Sequence, residues 1–242
     1  LYIVMLGVIG YGPSLVWWAY AMRRWGSGGG LGSMLRQTGV SPRWSDLGWG
    51  PLIWLATLVA QAAVTAIVLV LDIPLASTTD GVSELSADRT YTVAIVVTAV
   101  VAAPRVEELV FRGLVMRSLL SRMPVVAALV VQGVLFGVAH VDPVRGVGNI
   151  GLAVILSAGG VSLGTAAYLL RRSGPTIVAH ACFNGFVMFL LLSGVRDRIL
   201  ENNPDPFDQG REPSTQVFEQ GAVVDQPDIT EPHGGGDPNG SR

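Results

Sequence analysis

The chain is predicted to be an all-α, polytopic transmembrane helix bundle of about six spans, and three observations predict it. Half of its 242 residues are hydrophobic, the mean hydropathy is +0.49 and only 14% of residues are charged, against roughly 25% in a soluble domain. The apolar residues gather in runs long enough to cross a bilayer, for which a helix needs roughly 20 residues. The charge is also segregated. Residues 197–242 hold ten acids and three arginines, which leaves thirteen Arg against eight acids in the rest of the chain.

In chain order the runs fall at about 1–21, 51–71, 91–111 or longer, 124–140, 148–170 and 175–195. The first lacks a basic n-region and an A-x-A-like cleavage site, so it reads as a span and not as a signal peptide. Between the first two lies a loop with Arg23, Arg24, Arg36, Arg43 and a flexible Gly26-Ser27-Gly28-Gly29-Gly30 stretch. Loop 72–90 is acidic, with Asp72, Asp80, Glu84 and Asp88 beside Arg89. Alternating spans put the loops 22–50, 117–123 and 171–174 on one side, with eight Arg against two (Arg89, Arg145) on the other. The positive-inside rule makes the arginine side cytoplasmic, although Arg196 and Arg198 after the last span oppose it. Beyond residue 196 the chain is rich in Pro, Gly and acid with few aromatics, which predicts a disordered tail in which His233 is inert. The expected organisation is therefore N-terminal membrane helices and loops over 1–90, a core over 91–195 and a disordered acidic tail over 196–242. The expected location is the cell membrane. No basic stripe lies on a soluble face, so nucleic acid is excluded as a partner. The basic body suits anionic lipid. The single cysteine, Cys182, can form neither an internal disulfide nor a thiolate cluster.

Ionisable groups inside a span cost roughly 2.5–3.5 kcal/mol each on insertion scales, so each needs a reason. In Glu107-Glu108-Leu109-Val110-Phe111-Arg112, Glu108 and Arg112 stand at i, i+4 in the acid-first order that favours pairing. Glu107 lies about 100° round the helix from Glu108, so one arginine does not easily answer both. A spare carboxylate at low dielectric suits a general base. In Phe136-Gly137-Val138-Ala139-His140, a lone histidine on an apolar helix is ordinarily a core residue. Hairpin arithmetic changes that reading, because Glu107 and His140 lie at nearly equal distances from the turn at Met123-Pro124. They are expected to face each other, with Gly133 and Gly137 letting those two helices approach. In His180-Ala181-Cys182-Phe183-Asn184, an imidazole and a carboxamide share a face, able to bridge helices or to donate to one oxyanion. One site explains six costly residues together.

Glu-Glu-x-x-x-Arg, Phe-x-x-x-His and His-x-x-x-Asn, in that order, resemble the CPBP family, which includes the type II CAAX prenyl endopeptidases and the bacterial, bacteriocin-processing Abi-type proteins. Glu107–Leu114, reading EELVFRGL, and the run Gly164–Gly174 leading into Ile177-Val178-Ala179-His180 are similar to that family's wording. The resemblance covers about 100–190. It implies peptide-bond hydrolysis within the membrane, on three core helices, with a peptide or membrane-protein substrate. By position, it makes Glu107 the base that activates water, His140 its helper, His180 and Asn184 the oxyanion donors, and Glu108 and Arg112 their support. Two histidines and a carboxylate are also a catalytic zinc set, so Glu107, His140 and His180 are the metal ligands if the enzyme uses zinc. A metal-free mechanism uses the same residues and gives Asn184 a more natural place. The competing readings are a non-catalytic immunity or scaffold protein of the same fold and a proton-coupled transporter. The latter lacks the repeated halves expected of it. Depth sets a further condition. Glu107 lies roughly 24 Å from its turn, and His180 about 10 Å from the Arg171-Arg172 loop. Straight parallel helices would leave them at different levels unless helices tilt or the hairpin tip projects.

Overall fold

The computed structural model describes residues 2–75, 89–141 and 143–195. The acidic tail 196–242, with Arg196, Arg198 and His233, lies outside the described residues, as does 76–88 of the acidic loop. Among the described residues all regular structure is helical: α1 (Tyr2–Trp25), α2 (Leu31–Gln37), α3 (Asp46–Val70), α4 (Arg89–Val97), α5 (Ala103–Val110), α6 (Met116–Leu120), α7 (Val125–Val138), α8 (Asn149–Leu170) and α9 (Gly174–Leu192). The π-helical turns Thr98–Ala102 and Phe111–Val115 join α4, α5 and α6 into one rod, and a 3-10 turn, Pro143–Gly148, leads into α8. Every predicted run is occupied by a helix. Asp46–Val70, Gly146–Leu170 and Gly174–Leu192 are long and apolar enough to cross a membrane.

The distribution of side chains is that of a bundle solvated by lipid. Val126, Val130, Val134, Leu135 and Val138 of α7 are exposed, while Gln132, Glu108, Arg112, Thr176 and His180 are buried. Without water outside, there is no hydrophobic drive to hide valine, and polar groups find partners only inward.

Close backbone contact is made by α7 and α8, which run antiparallel. A Cβ added at Gly133 would stand 2.8 Å from the backbone nitrogen of Val161, and one at Gly137 2.8 Å from that of Ser157. This corrects the sequence expectation that these glycines serve the approach of the Glu107 helix. The rod stands off from α7 because Phe111 and Arg112 fill the space between them, both against the Phe136 ring. Small residues therefore lie where backbones touch, on the α8 side. Helix α3 lies beside α8 through a Thr57–Ser162 hydroxyl pair at 2.9 Å and beside α9 through Ile53 and Ala179.

The depth condition is met at the arginine-rich end. Arg117 donates to the Gln37 carbonyl, and the Ser173 N–H donates to Gly39 O at 2.8 Å. The short strap after α2 thus sets Arg117 and Ser173 at one level. Glu107 lies about 15 Å below it and His180 about 10 Å, a difference that helix crossing absorbs. The Ser121–Pro124 connection lies past that level. Asp46 completes this end by accepting from the Arg43 N–H at 2.8 Å and pairing with Arg172.

Gly133→Val should lower the stability of the bundle by about 1–3 kcal/mol through overpacking. Denaturant titration in mixed micelles measures it, and an unchanged midpoint would contradict the α7–α8 contact.

Candidate active site

Adjacent residues on α5 divide two carboxylates between two environments. Glu108 has no exposed surface and is surrounded by donors: Arg112 Nη1 at 2.9 Å and His180 Nδ1 at 3.2 Å on Oε1, and Thr176 Oγ1 at 2.6 Å on Oε2. Arg112 is buried completely as well. It donates through Nη2 to the Gly160 carbonyl at 3.1 Å, and its guanidinium lies 4.7 Å over the Phe136 ring. Gln132 donates to the same carbonyl at 2.8 Å. A buried charge is tolerated only when paired and hydrogen-bonded, and this pair is served from α5, α8 and α9.

Glu107 faces the other way. Its Oε1 accepts from the Tyr11 hydroxyl at 3.3 Å. Its Oε2 is buried and has no hydrogen-bond partner. Two imidazole Nε2 atoms flank that oxygen, His140 at 3.6 Å and His180 at 3.8 Å. These separations are longer than a hydrogen bond.

The tautomers follow from the partners. His140 Nδ1 lies 2.7 Å from the Phe136 carbonyl, and a carbonyl only accepts, so Nδ1 carries hydrogen. His180 Nδ1 faces the Glu108 carboxylate, which also accepts. In their neutral forms both rings therefore turn an Nε2 lone pair toward Glu107 Oε2. Three acceptors converge on one small space, which calls for a donor. Phe136 holds both rings, with centroids 4.7 Å from His140 and 5.8 Å from His180.

The fold thus brings Glu107, Glu108, Arg112, His140 and His180 together. Asn184 lies one turn beyond His180, and its Nδ2 donates to the Ala99 carbonyl at 2.7 Å, inside the π-helical turn Thr98–Ala102. One of its two N–H groups is committed there. Tyr11, Thr176, Gln132 and Gly160 had no sequence signal beyond being polar or small in apolar runs. Among the described residues, no group of three or more His, Cys, Asp or Glu side chains is arranged to hold a metal ion, Glu107, His140 and His180 included.

The matched segment and the site coincide. Residues 89–186 match the family model described as Type II CAAX prenyl endopeptidase Rce1-like. The match spans 98 of the 242 residues. No curated protein and no solved structure matches the chain. The Rce1-like segment contains Glu107, Glu108, Arg112, His140, His180 and Asn184, whereas Tyr11 lies outside it. The matched family is one of CAAX-type prenyl endopeptidases, so the match suggests that activity.

Arg112→Met in the Rce1-like core leaves Glu108 buried without its cation and should cost about 3–5 kcal/mol. The double variant Arg112→Met with Glu108→Gln should recover part of that loss. Thermal unfolding in detergent measures both, and a double variant less stable than Arg112→Met would contradict the pairing.

Proposed function

We propose that the protein is an intramembrane endopeptidase that hydrolyses a peptide bond in a membrane-associated or prenylated peptide, with Glu107 as the base. The observation that carries this reading is the buried, unpartnered Glu107 Oε2 between two Nε2 atoms. A water in that space donates one hydrogen to Glu107 and the other to an imidazole, and its oxygen lone pair is left for the substrate carbonyl. Depth agrees with membrane chemistry. Gly160, whose carbonyl takes Arg112 and Gln132, lies near the middle of the span Gly146–Leu170, about 15 Å from its arginine-side end.

In the reaction, Glu107 Oε2 takes a proton from water as the water oxygen bonds to the carbonyl carbon. The carbonyl π pair moves onto oxygen. The second N–H of Asn184 answers the oxyanion, as does His180 when its Nε2 carries hydrogen. When the C–N bond breaks, the proton held by Glu107 passes to the leaving nitrogen with help from His140. The products are a carboxyl group and an amine, and Glu107 is again a carboxylate. Every step uses the chain's own side chains. The substrate is a peptide delivered from the bilayer, and the protein sits in the cell membrane.

Purified protein should cleave quenched fluorescent peptides, prenylated ones included. Glu107→Gln and His140→Ala should each reduce kcat by about 10²–10⁴. Turnover should persist in a strong chelator. Equal turnover in all three proteins would remove the site, and loss with chelator restored by zinc would replace the metal-free mechanism.

A further inference from the structure

We propose that Tyr11, on α1 and outside the family-matched segment, is a positioning residue that holds the Glu107 carboxylate by Oε1 so that Oε2 faces the two histidines. This inference rests on the reading of Glu107 as the base.

Three observations carry it. First, Tyr11 belongs to the inward stripe of α1. Trp18 and Ala21, buried at helical spacing from it, share its face, whereas Val16, Trp17 and Tyr20 are exposed. Phenylalanine would serve that stripe for packing alone, because a phenolic hydroxyl in apolar surroundings is costly without a partner. Second, its partner is Glu107 Oε1 at 3.3 Å, across 96 residues of sequence. Third, Glu107 has no other side-chain hydrogen bond among those described, since Arg112 is spent on Glu108 and both histidines stand beyond hydrogen-bond distance of Oε2.

A carboxylate bound at neither oxygen rotates about its terminal torsion, which is soft and roughly two-fold. Anchoring one oxygen converts that freedom into a fixed lone-pair direction at the other. Tyr11 approaches from α1, a helix outside the matched segment. The family-matched core thus carries the reacting groups, and α1 sets their aim.

The test uses the full chain in detergent and compares wild type, Tyr11→Phe and Glu107→Gln. Tyr11→Phe keeps the ring and should unfold at the wild-type temperature. Its kcat should fall about ten- to hundredfold, the effect of a lost hydrogen bond to a charged group, with KM unchanged. Wild-type kcat in Tyr11→Phe overturns the proposal while leaving the protease intact. A loss shared between kcat, KM and thermal stability makes Tyr11 structural and overturns it as well. A second readout needs no turnover. With ¹³Cζ-labelled tyrosine, the signal missing in Tyr11→Phe identifies Tyr11 among the five tyrosines. It should move in Glu107→Gln. If it stays in place, the contact is refuted whatever the protein cleaves; if it moves in a protein that cleaves nothing, the contact stands and the protease reading falls.

Discussion

An arginine with no exposed surface, in a bundle whose outside is valine and leucine, needs its charge and its N–H groups answered where it sits. Arg112 answers its charge with Glu108 and the Phe136 ring and donates Nη2 to the Gly160 carbonyl, while its Nε and Nη1 have no hydrogen-bond partner among the described residues. Each partner comes from a different element, so α5, α7 and α8 must converge. Glu108 adds Thr176 and His180, which brings in α9. The ion pair is worth little as net stability, because desolvation offsets most of its attraction. Its value is registry: partners drawn from α5, α7, α8 and α9 hold those elements against one another around the site.

The same pair leaves Glu107 unanswered. Adjacent residues on a helix point about 100° apart, so the cation and hydroxyl that serve Glu108 do not reach its neighbour. One carboxylate is saturated and structural, the other keeps a free oxygen. The histidines repeat the division at the level of single atoms. Each ring spends Nδ1 on a fixed acceptor, the Phe136 carbonyl or Glu108, and presents Nε2 to the same space. Orientation is thus supplied by groups that take no part in bond making, as expected where reacting atoms must be preorganised.

How much of this was legible in the sequence depended on whether the signal was periodic or three-dimensional. Hydropathy placed a helix at every span, and i, i+4 spacing gave the Glu108–Arg112 pair. Hairpin arithmetic correctly set Glu107 against His140, because equal chain lengths from a turn return to equal depth. It failed for Gly133 and Gly137, since it assumed that helices adjacent in sequence are the ones in closest contact. Side-chain volume decided otherwise: Phe111 and Arg112 hold the rod away, and the glycines meet α8. Tyr11 was invisible for a different reason. A tyrosine in a first span looks like an interfacial anchor, and nothing local says that its hydroxyl meets a carboxylate 96 residues later. Asn184 was read from its spacing to His180, but its bond to Ala99 depends on a π-helical turn that no periodicity announces.

The proposed hydrolysis also needs water, and the shape of α7 bears on its supply. At 14 residues, α7 is about 21 Å long, short of a hydrocarbon core of about 30 Å. Its end, where His140 follows, therefore falls inside that thickness, and the chain continues through a 3-10 turn before α8 begins. Non-helical backbone at membrane depth persists only where protein covers it or water reaches it. The His140 side chain is 33% exposed, against 7% for His180. Of the two rings that face Glu107 Oε2, His140 is thus the one that meets the outside of the bundle. A short helix, an irregular connection and a part-exposed imidazole thus set the His140 side of the site nearer the bundle surface than the buried ion pair. The buried side keeps the register, and the part-exposed side leaves the free oxygen of Glu107 accessible to a reactant under the proposed mechanism.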